Sequence, residues 1–272
     1  MEVVLGKLFT MTAAPRYPEI DLARSLAVLM MILFHYAFDL RFFYRWNIDV
    51  FSGPWFWLGR LCAILFLLLV GISFVISWDR SSRSAQAENA PAFREVYPKY
   101  LRRGLFILGC GMLITAVTYG WMPRVYIRFG ILHLIGTSIL ILPFFVRLRE
   151  ANVLVALILI ATGQWMPIPR VETGLLLPLG IPHEGFASLD YYPLLPWFGV
   201  ILLGSALGHL FYIRYPQWRI PLSSRSGPEG PSGPRTAVHF PLSASLGWPG
   251  RNALLIYMLH QPIILGFLHF MI

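Results

Sequence analysis

Ile20-Asp-Leu-Ala-Arg-Ser-Leu-Ala-Val-Leu-Met-Met-Ile-Leu-Phe-His-Tyr-Ala-Phe-Asp-Leu40 is an apolar stretch long enough to cross a bilayer as a helix, since a span takes about 20 residues. Two of its residues do not belong in lipid: His35 and, four residues later, Asp39. An i, i+4 pair shares one helix face. Imidazole and carboxylate are costly in hydrocarbon, so they face protein or water and mark a functional site by default.

The rest of the chain has the same character. Of 272 residues, 57% are hydrophobic and 13% charged, about half the charge of a soluble domain, which carries roughly 25%. The mean hydropathy is +0.63. These values predict an all-α polytopic membrane helix bundle, with residues 1–272 forming a single integral membrane domain. The net charge of +9 does not imply nucleic acid, because the bases fall between apolar runs and no basic module of a recognisable type is present. Cys62 and Cys110 both lie inside apolar runs and read as small buried hydrophobes. No His/Cys spacing suits a metal, and none is expected. The first ten residues are too short and weakly apolar for a secretory signal. The membrane pattern needs nothing before Arg16, so Met11 is an alternative start.

Seven apolar segments can be drawn, near 20–43, 55–77, 103–122, 129–147, 152–168, 190–213 and 250–271. The fifth ends at Pro167 and Pro169. Bases crowd alternate connections: Arg16 and Arg24, then Arg80, Arg83, Arg94, Lys99, Arg102 and Arg103, then Arg147 and Arg149, then Arg214, Arg219, Arg225, Arg235 and Arg251. The other side holds fewer: Arg41, Arg45, Arg124, Arg128 and Arg170. This bias predicts about seven transmembrane helices, with the N-terminus cytoplasmic and the C-terminus outside. Within 214–249, Ser223-Ser-Arg-Ser-Gly-Pro-Glu-Gly-Pro-Ser-Gly-Pro-Arg235 reads as a flexible cytoplasmic loop. The outer loop 169–190 carries Glu172, His183 and Glu184 among Gly and Pro, either over a cavity mouth or as a passive surface. The Gly204-x-x-x-Gly208 spacing fits an internal helix contact or a homodimer face.

With that orientation, the ionisable groups inside the apolar runs gather by depth in the outer half of the membrane. They are His35, Asp39, Arg60, Arg128, His133 and His260, with Asp190 opening the sixth segment. His35 reads as a general base oriented by Asp39 or another carboxylate. Arg60 and Arg128 read either as oxyanion-stabilising cations or as snorkelling interfacial bases. His133 and His260 read as catalytic groups or as interhelical hydrogen-bond partners.

Four blocks, in order, resemble the heparan-α-glucosaminide N-acetyltransferase catalytic-domain family. The opening Glu19–His35 stretch is similar to the family's Asp-x-x-Arg-Gly-x-Ala start. Arg128-Phe-Gly-Ile-Leu-His-Leu-Ile-Gly136 and Tyr192-Pro-Leu-Leu-Pro-Trp-Phe-Gly-Val-Ile-Leu-Leu-Gly204 follow. Gly250-Arg-Asn-Ala-Leu-Leu-Ile-Tyr-Met-Leu-His-Gln-Pro262 is similar to the closing Asn-[Ser/Ala]-Leu-x-x-Tyr-x-x-His. The resemblance implies a transmembrane acyltransferase that passes acetyl from cytoplasmic acetyl-CoA to an outward-facing sugar or glycolipid acceptor in a prokaryotic plasma membrane. It implies acetyl-CoA as co-substrate, with Arg24, Lys99, Arg102, Arg103 and Arg251 holding its phosphates. The lysosomal member carries its histidine after the first span, in a His-Ala-Ser-Trp-like context. The corresponding loop here, Arg41 to Pro54, has no histidine, so the catalytic role of His35 rests on its own depth and on Asp39. The competing readings are a proton-coupled transporter, since intramembrane His and Asp also form proton relays, and a non-catalytic membrane subunit.

Overall fold

The structure, a computed structural model, describes residues 17–87, 91–165, 171–218 and 246–271. Met11, Arg16, Pro167, Pro169, Arg170, Arg219, Arg225, Arg235 and most of the 214–249 loop lie outside the described residues. Among the described residues, the main helices are α1 (Pro18–Phe42), α2 (Gly53–Ala87), α3 (Ala92–Trp121), α4 (Ile131–Ile141), α5 (Asn152–Trp165), α6 (Leu194–His209) and α7 (Ala253–Met271). The chain divides into two compact units, Met1–Leu33 with Pro221–Ile272, and Phe34–Ile220.

The helix ends follow from the sequence. Glu19 and Asp21 sit in the first turn of α1 and Arg41 in its last, each the charge that the helix dipole favours there. Asp49 accepts hydrogen bonds from the Phe51 N–H (3.0 Å) and the Ser52 hydroxyl (2.5 Å). This Asx-type turn leads through Gly53, at φ 60, into α2, with Pro54 in its first turn, where a missing N–H costs nothing.

Small residues decide how the second unit packs. Gly71 of α2 lies against the Ile201 carbonyl and Ser205 amide of α6, Gly204 against the backbone of Leu68, and Gly208 against Ile72 and Val75. The Gly204-x-x-x-Gly208 pair therefore serves a contact within the chain, where backbones approach too closely for any side chain. At 35 residues, α2 is about 52 Å long, well beyond a hydrocarbon core of about 30 Å. Its last turns are polar, with Arg83 paired to Asp79 at 2.9 Å. There α2 meets the start of α3 through Phe74, Trp78 and Tyr100, whose ring centroids lie 4.9–5.9 Å apart, and through a 2.8 Å hydrogen bond from the Tyr100 hydroxyl to Ser77.

All seven apolar segments are helical, but they do not all span alike. Among the described residues, five helices are long and apolar enough to cross a membrane. The fourth and fifth segments instead form a pair bent by 99°, so the count is five, or six if the pair is one span. The sequence cause lies at the break. Pro143 has no N–H to continue α4, and the chain tightens into 3-10 turns at Leu142–Phe144 and Val146–Ala151. Arg149 there adopts a positive φ of 50. Glu150 accepts a 2.9 Å bond from Arg214 and lies 3.1 Å from the His209 ring, which ties the bend to the end of α6. Outward faces are apolar: Leu105, Phe106, Met112, Leu113 and Val117 of α3 are all exposed. A water-soluble protein rarely shows such a surface, and a bilayer covers it.

In the first unit, the single turn Trp248–Arg251 and α7 join the first part of α1. Gly250 sits directly on the Asp21 carbonyl. Its N–H donates to the Ser25 hydroxyl at 2.9 Å, and that hydroxyl donates to the Asp21 carbonyl at 3.0 Å. The first and fourth sequence blocks, 225 residues apart, thus meet through backbone.

Candidate functional site

The second and third blocks also meet, in the other unit. The segment leading into α4 pairs with the segment leading into α6. Phe129 and Tyr191 form a parallel bridge, Tyr192 N–H donates to Phe129 carbonyl at 2.9 Å, and Leu189 N–H donates to Val125 carbonyl at 2.8 Å. The Ser188 hydroxyl lies 3.1 Å from the Tyr126 carbonyl and 2.8 Å from that of Asp190. Two loops distant in sequence are thereby fixed at the entrance of two helices.

Asp190 is the centre of this corner. Its Oδ2 accepts the Ile131 N–H at 3.0 Å, one of the donors that a helix start leaves without an intrahelical partner. Gly130 is required beside it, because a Cβ there would strike the carboxylate. Burial pushes the Asp190 carboxyl up to about 6, against the pull of the Ile131 N–H. A raised carboxyl holds its proton more tightly in the folded chain. Its contribution to stability is therefore complete below the ordinary carboxylate range and is lost as the pH rises through about 6. Burial, and next the Asp190 charge, push the Tyr192 phenol up as well, while Arg60 pulls it down.

Arg60, Arg128 and His133 all come to this corner. The Arg60 guanidinium lies 5.3 Å from the Phe56 ring and 5.3 Å from that of Trp197, and Trp197 lies 4.9 Å from Tyr192. Arg128 lies over Tyr126 at 4.8 Å and Phe186 at 5.4 Å. It donates through a terminal nitrogen to His183 Nε2, and His183 Nδ1–H donates to the Glu184 carbonyl at 2.6 Å. His133 is engaged at both nitrogens. Nδ1 accepts the Gly130 N–H at 3.2 Å, so in the neutral ring the proton is on Nε2. Nε2 faces the Thr115 hydroxyl at 3.2 Å, which donates to the Ile127 carbonyl at 2.7 Å. His133 thereby caps α4 and anchors it to α3.

His35 and Asp39 occupy the part of α1 that belongs to the same unit. Asp39 is fully buried. His35 is half-buried, its ring edge-on to Phe34 at 5.7 Å. Phe34, the neighbour of His35 in the chain, packs on Gly59, the neighbour of Arg60. His260 belongs to the first unit, where it is buried in α7 and its Nδ1–H donates to the Tyr257 carbonyl at 2.7 Å.

The basic residues fall in two groups. In the second unit, Lys99 donates to the Ser81 hydroxyl at 2.9 Å, and Arg102 and Arg103 are exposed on the following turn of α3. In the first unit, Arg24 pairs with Asp21 at 3.0 Å, and Arg251 is exposed beside Gly250. Among the described residues no three His, Cys, Asp or Glu side chains gather as metal ligands do.

Two partnerships escape a reading of the sequence. Arg128 with His183 joins residues 55 apart, and Asp190 with Ile131 joins residues 59 apart. The capping role of His133 has a local signal, since Gly130 and His133 stand at N-cap and N3.

The fold and its surface define an integral membrane protein built as an all-α helix bundle. A family model described as "Heparan-alpha-glucosaminide N-acetyltransferase, catalytic" matches residues 16–262, and the chain belongs to that family. No curated protein and no solved structure matches it.

Proposed function

We propose that the protein is a transmembrane acetyltransferase that takes acetyl from cytoplasmic acetyl-CoA and gives it to a sugar or glycolipid acceptor on the other side of a prokaryotic plasma membrane. The family match over residues 16–262 carries this reading. Support comes from the pairwise meeting of the four blocks, first with fourth and second with third, around charged side chains. The N-terminus is cytoplasmic in this reading.

The donor end falls to the bases. Lys99 and Arg103 share a helix face, and Arg102 and Arg103 are exposed, as residues must be to meet diphosphate and phosphate oxygens. Arg24 is already committed to Asp21, so a phosphate at that site competes with a carboxylate. Arg251, exposed beside Gly250, is the other base of the first unit. Changing both Arg102 and Arg103 to Gln is expected to raise the KM for acetyl-CoA about tenfold, with a smaller change in kcat and a weaker dependence on salt, because two charge-assisted contacts are lost. Steady-state kinetics at two ionic strengths checks this. An unchanged KM removes these residues from the donor site.

At the acyl end, His35 takes the proton that the acceptor loses as it attacks the thioester. Asp39 orients the imidazole, and Arg60 and Arg128 offer positive charge to the developing oxyanion. His133 keeps the α4 corner in place. The reading is tested by incubating purified protein in lipid nanodiscs with labelled acetyl-CoA and following thioester loss and label transfer.

A further inference from the structure

We propose that the bend between α4 and α5 binds the phosphate headgroup of an anionic phospholipid, held by Arg147 and Arg149 at the membrane face where α2 ends and α3 begins. Such a site concerns the lipid around the protein, so it stands or falls apart from the acetyltransferase reading.

Helix register fixes where the bend lies. α3 runs antiparallel to α2, with Tyr100 on Ser77 and Lys99 on Ser81. α4 runs back along α3: a Cβ at Gly111 would meet His133, one at Gly136 would meet Leu108, and one at Gly104 would meet Leu140. α5 and α6 are antiparallel too, with Gly163 on Pro196, Gly199 on Ala156, and Asn152 3.4 Å from Ser205. The turns at Leu142–Phe144 and Val146–Ala151 therefore come to the end of the unit that holds the last turns of α2, the start of α3 and the end of α6. Phe144 packs there on Phe93 and Tyr97 of α3, at 5.7 and 5.9 Å.

The surface of the bend sets two chemistries side by side. Phe144 and Leu148 are 63% and 42% exposed, and Arg147 and Arg149 on either side of Leu148 are exposed as well. Among the described residues neither arginine side chain is engaged in a hydrogen bond or an ion pair. The acid of the bend, Glu150, is committed to Arg214 and lies 3.1 Å from His209, so the charge left over is positive. A lipid interface meets both needs at once: acyl chains cover the apolar side chains, and phosphate oxygens meet the guanidinium forks. A soluble phosphate compound would answer the arginines and leave Phe144 and Leu148 bare.

The backbone favours a role for the Arg149 side chain. Its φ of 50 and ψ of −118 belong to a turn position that suits glycine, and strain kept by a larger residue marks functional positions. The turn is also fixed, because the fully buried Asn152 donates to the Phe145 carbonyl at 3.0 Å. The two cations are thus presented from a rigid loop, which lowers the cost of ordering them on a ligand.

Thermal unfolding in nanodiscs tests the site, with phosphatidylcholine alone or in an equal mixture with phosphatidylglycerol. Wild type is expected to melt roughly 4–8 °C higher in the mixture, as two bases at an anionic surface should give for a domain of this size. Arg147→Gln with Arg149→Gly loses more than half of that gain. Arg80→Gln with Arg94→Gln, which removes the same charge from the same face, keeps it. Arg149→Gly alone relieves the backbone, so it melts at or above wild type in phosphatidylcholine and yet gains less in the mixture. A packing defect would lower both melts together. Wild type without a gain overturns the proposal, and so does a bend variant that keeps more than half of it. If the double variant does not fold, Arg149→Gly decides, and a gain equal to that of wild type is then the contrary result. A control pair that loses as much as the bend pair would leave bulk surface charge only. Inorganic phosphate or CoA that reproduces the gain in phosphatidylcholine, through the same arginines, would make this a site for soluble phosphate; either outcome overturns the lipid assignment.

Discussion

His35→Ala is expected to lower acetyl transfer by about 10²–10⁴-fold, the range lost when a positioned general base is removed, while acetyl-CoA binding changes little. The expectation starts from cost. A helix of lipid-crossing length keeps an imidazole half-buried and a carboxylate fully buried one turn further on, and each is expensive in that setting unless it is used. The ring is the part of the pair left partly open, edge-on to Phe34, as a group that exchanges a proton with a substrate must be. The buried Asp39 suits orientation rather than proton transfer, and Asp39→Asn should lose less than His35→Ala. Binding of acetyl-CoA by calorimetry and turnover of labelled donor separate the two effects. Turnover above a third of wild type in His35→Ala would remove the residue from the chemistry and leave it as a packing element of α1.

Gly204→Leu carries the largest expected effect on stability. A Cβ at position 204 meets the Leu68 carbonyl and backbone of α2, and one at Gly71 meets the Ile201 carbonyl and the Ser205 amide. These obstacles are main chain, which cannot rotate aside as a side chain does. The helices must separate along their whole contact, and the loss is expected at or above the roughly 3 kcal/mol end of overpacking costs. Gly109→Leu is the control, because a Cβ at position 109 meets nothing within 4 Å. Thermal unfolding in detergent should show Gly204→Leu melting well below wild type, with Gly109→Leu close to it. Equal melting of the two variants would mean that α2 and α6 are not packed through these glycines.

The membrane fold was legible because it depends on composition and run length. All seven apolar segments are helices, within a few residues at most of their edges. Their function as crossings was less legible. Hydropathy responds to the apolar residues of α4 and α5, but crossing also requires a straight path. Pro143, the turns that follow it and the Glu150–Arg214 tie turn that pair through 99°. The charge bias that favours seven crossings counts bases per loop and does not register such a bend.

The site was legible one residue at a time. Arg60, Arg128 and His35 stand out as charge-bearing side chains in apolar runs. What they touch is set by contacts between distant segments: Trp197 under Arg60, His183 on Arg128, Ile131 on Asp190. Asp190 shows the limit best. In the sequence it is an ordinary acid at the edge of a span, and only the paired loops at Phe129 and Tyr191 bring it to the first turn of α4.

The most direct measurement reconstitutes the wild-type protein in liposomes, with labelled acetyl-CoA on one face and glucosamine enclosed on the other. Labelled N-acetylglucosamine inside the vesicles, absent with His35→Ala, is the expected result. Folded protein that leaves the thioester intact and neither binds CoA nor transfers label would contradict the proposed function.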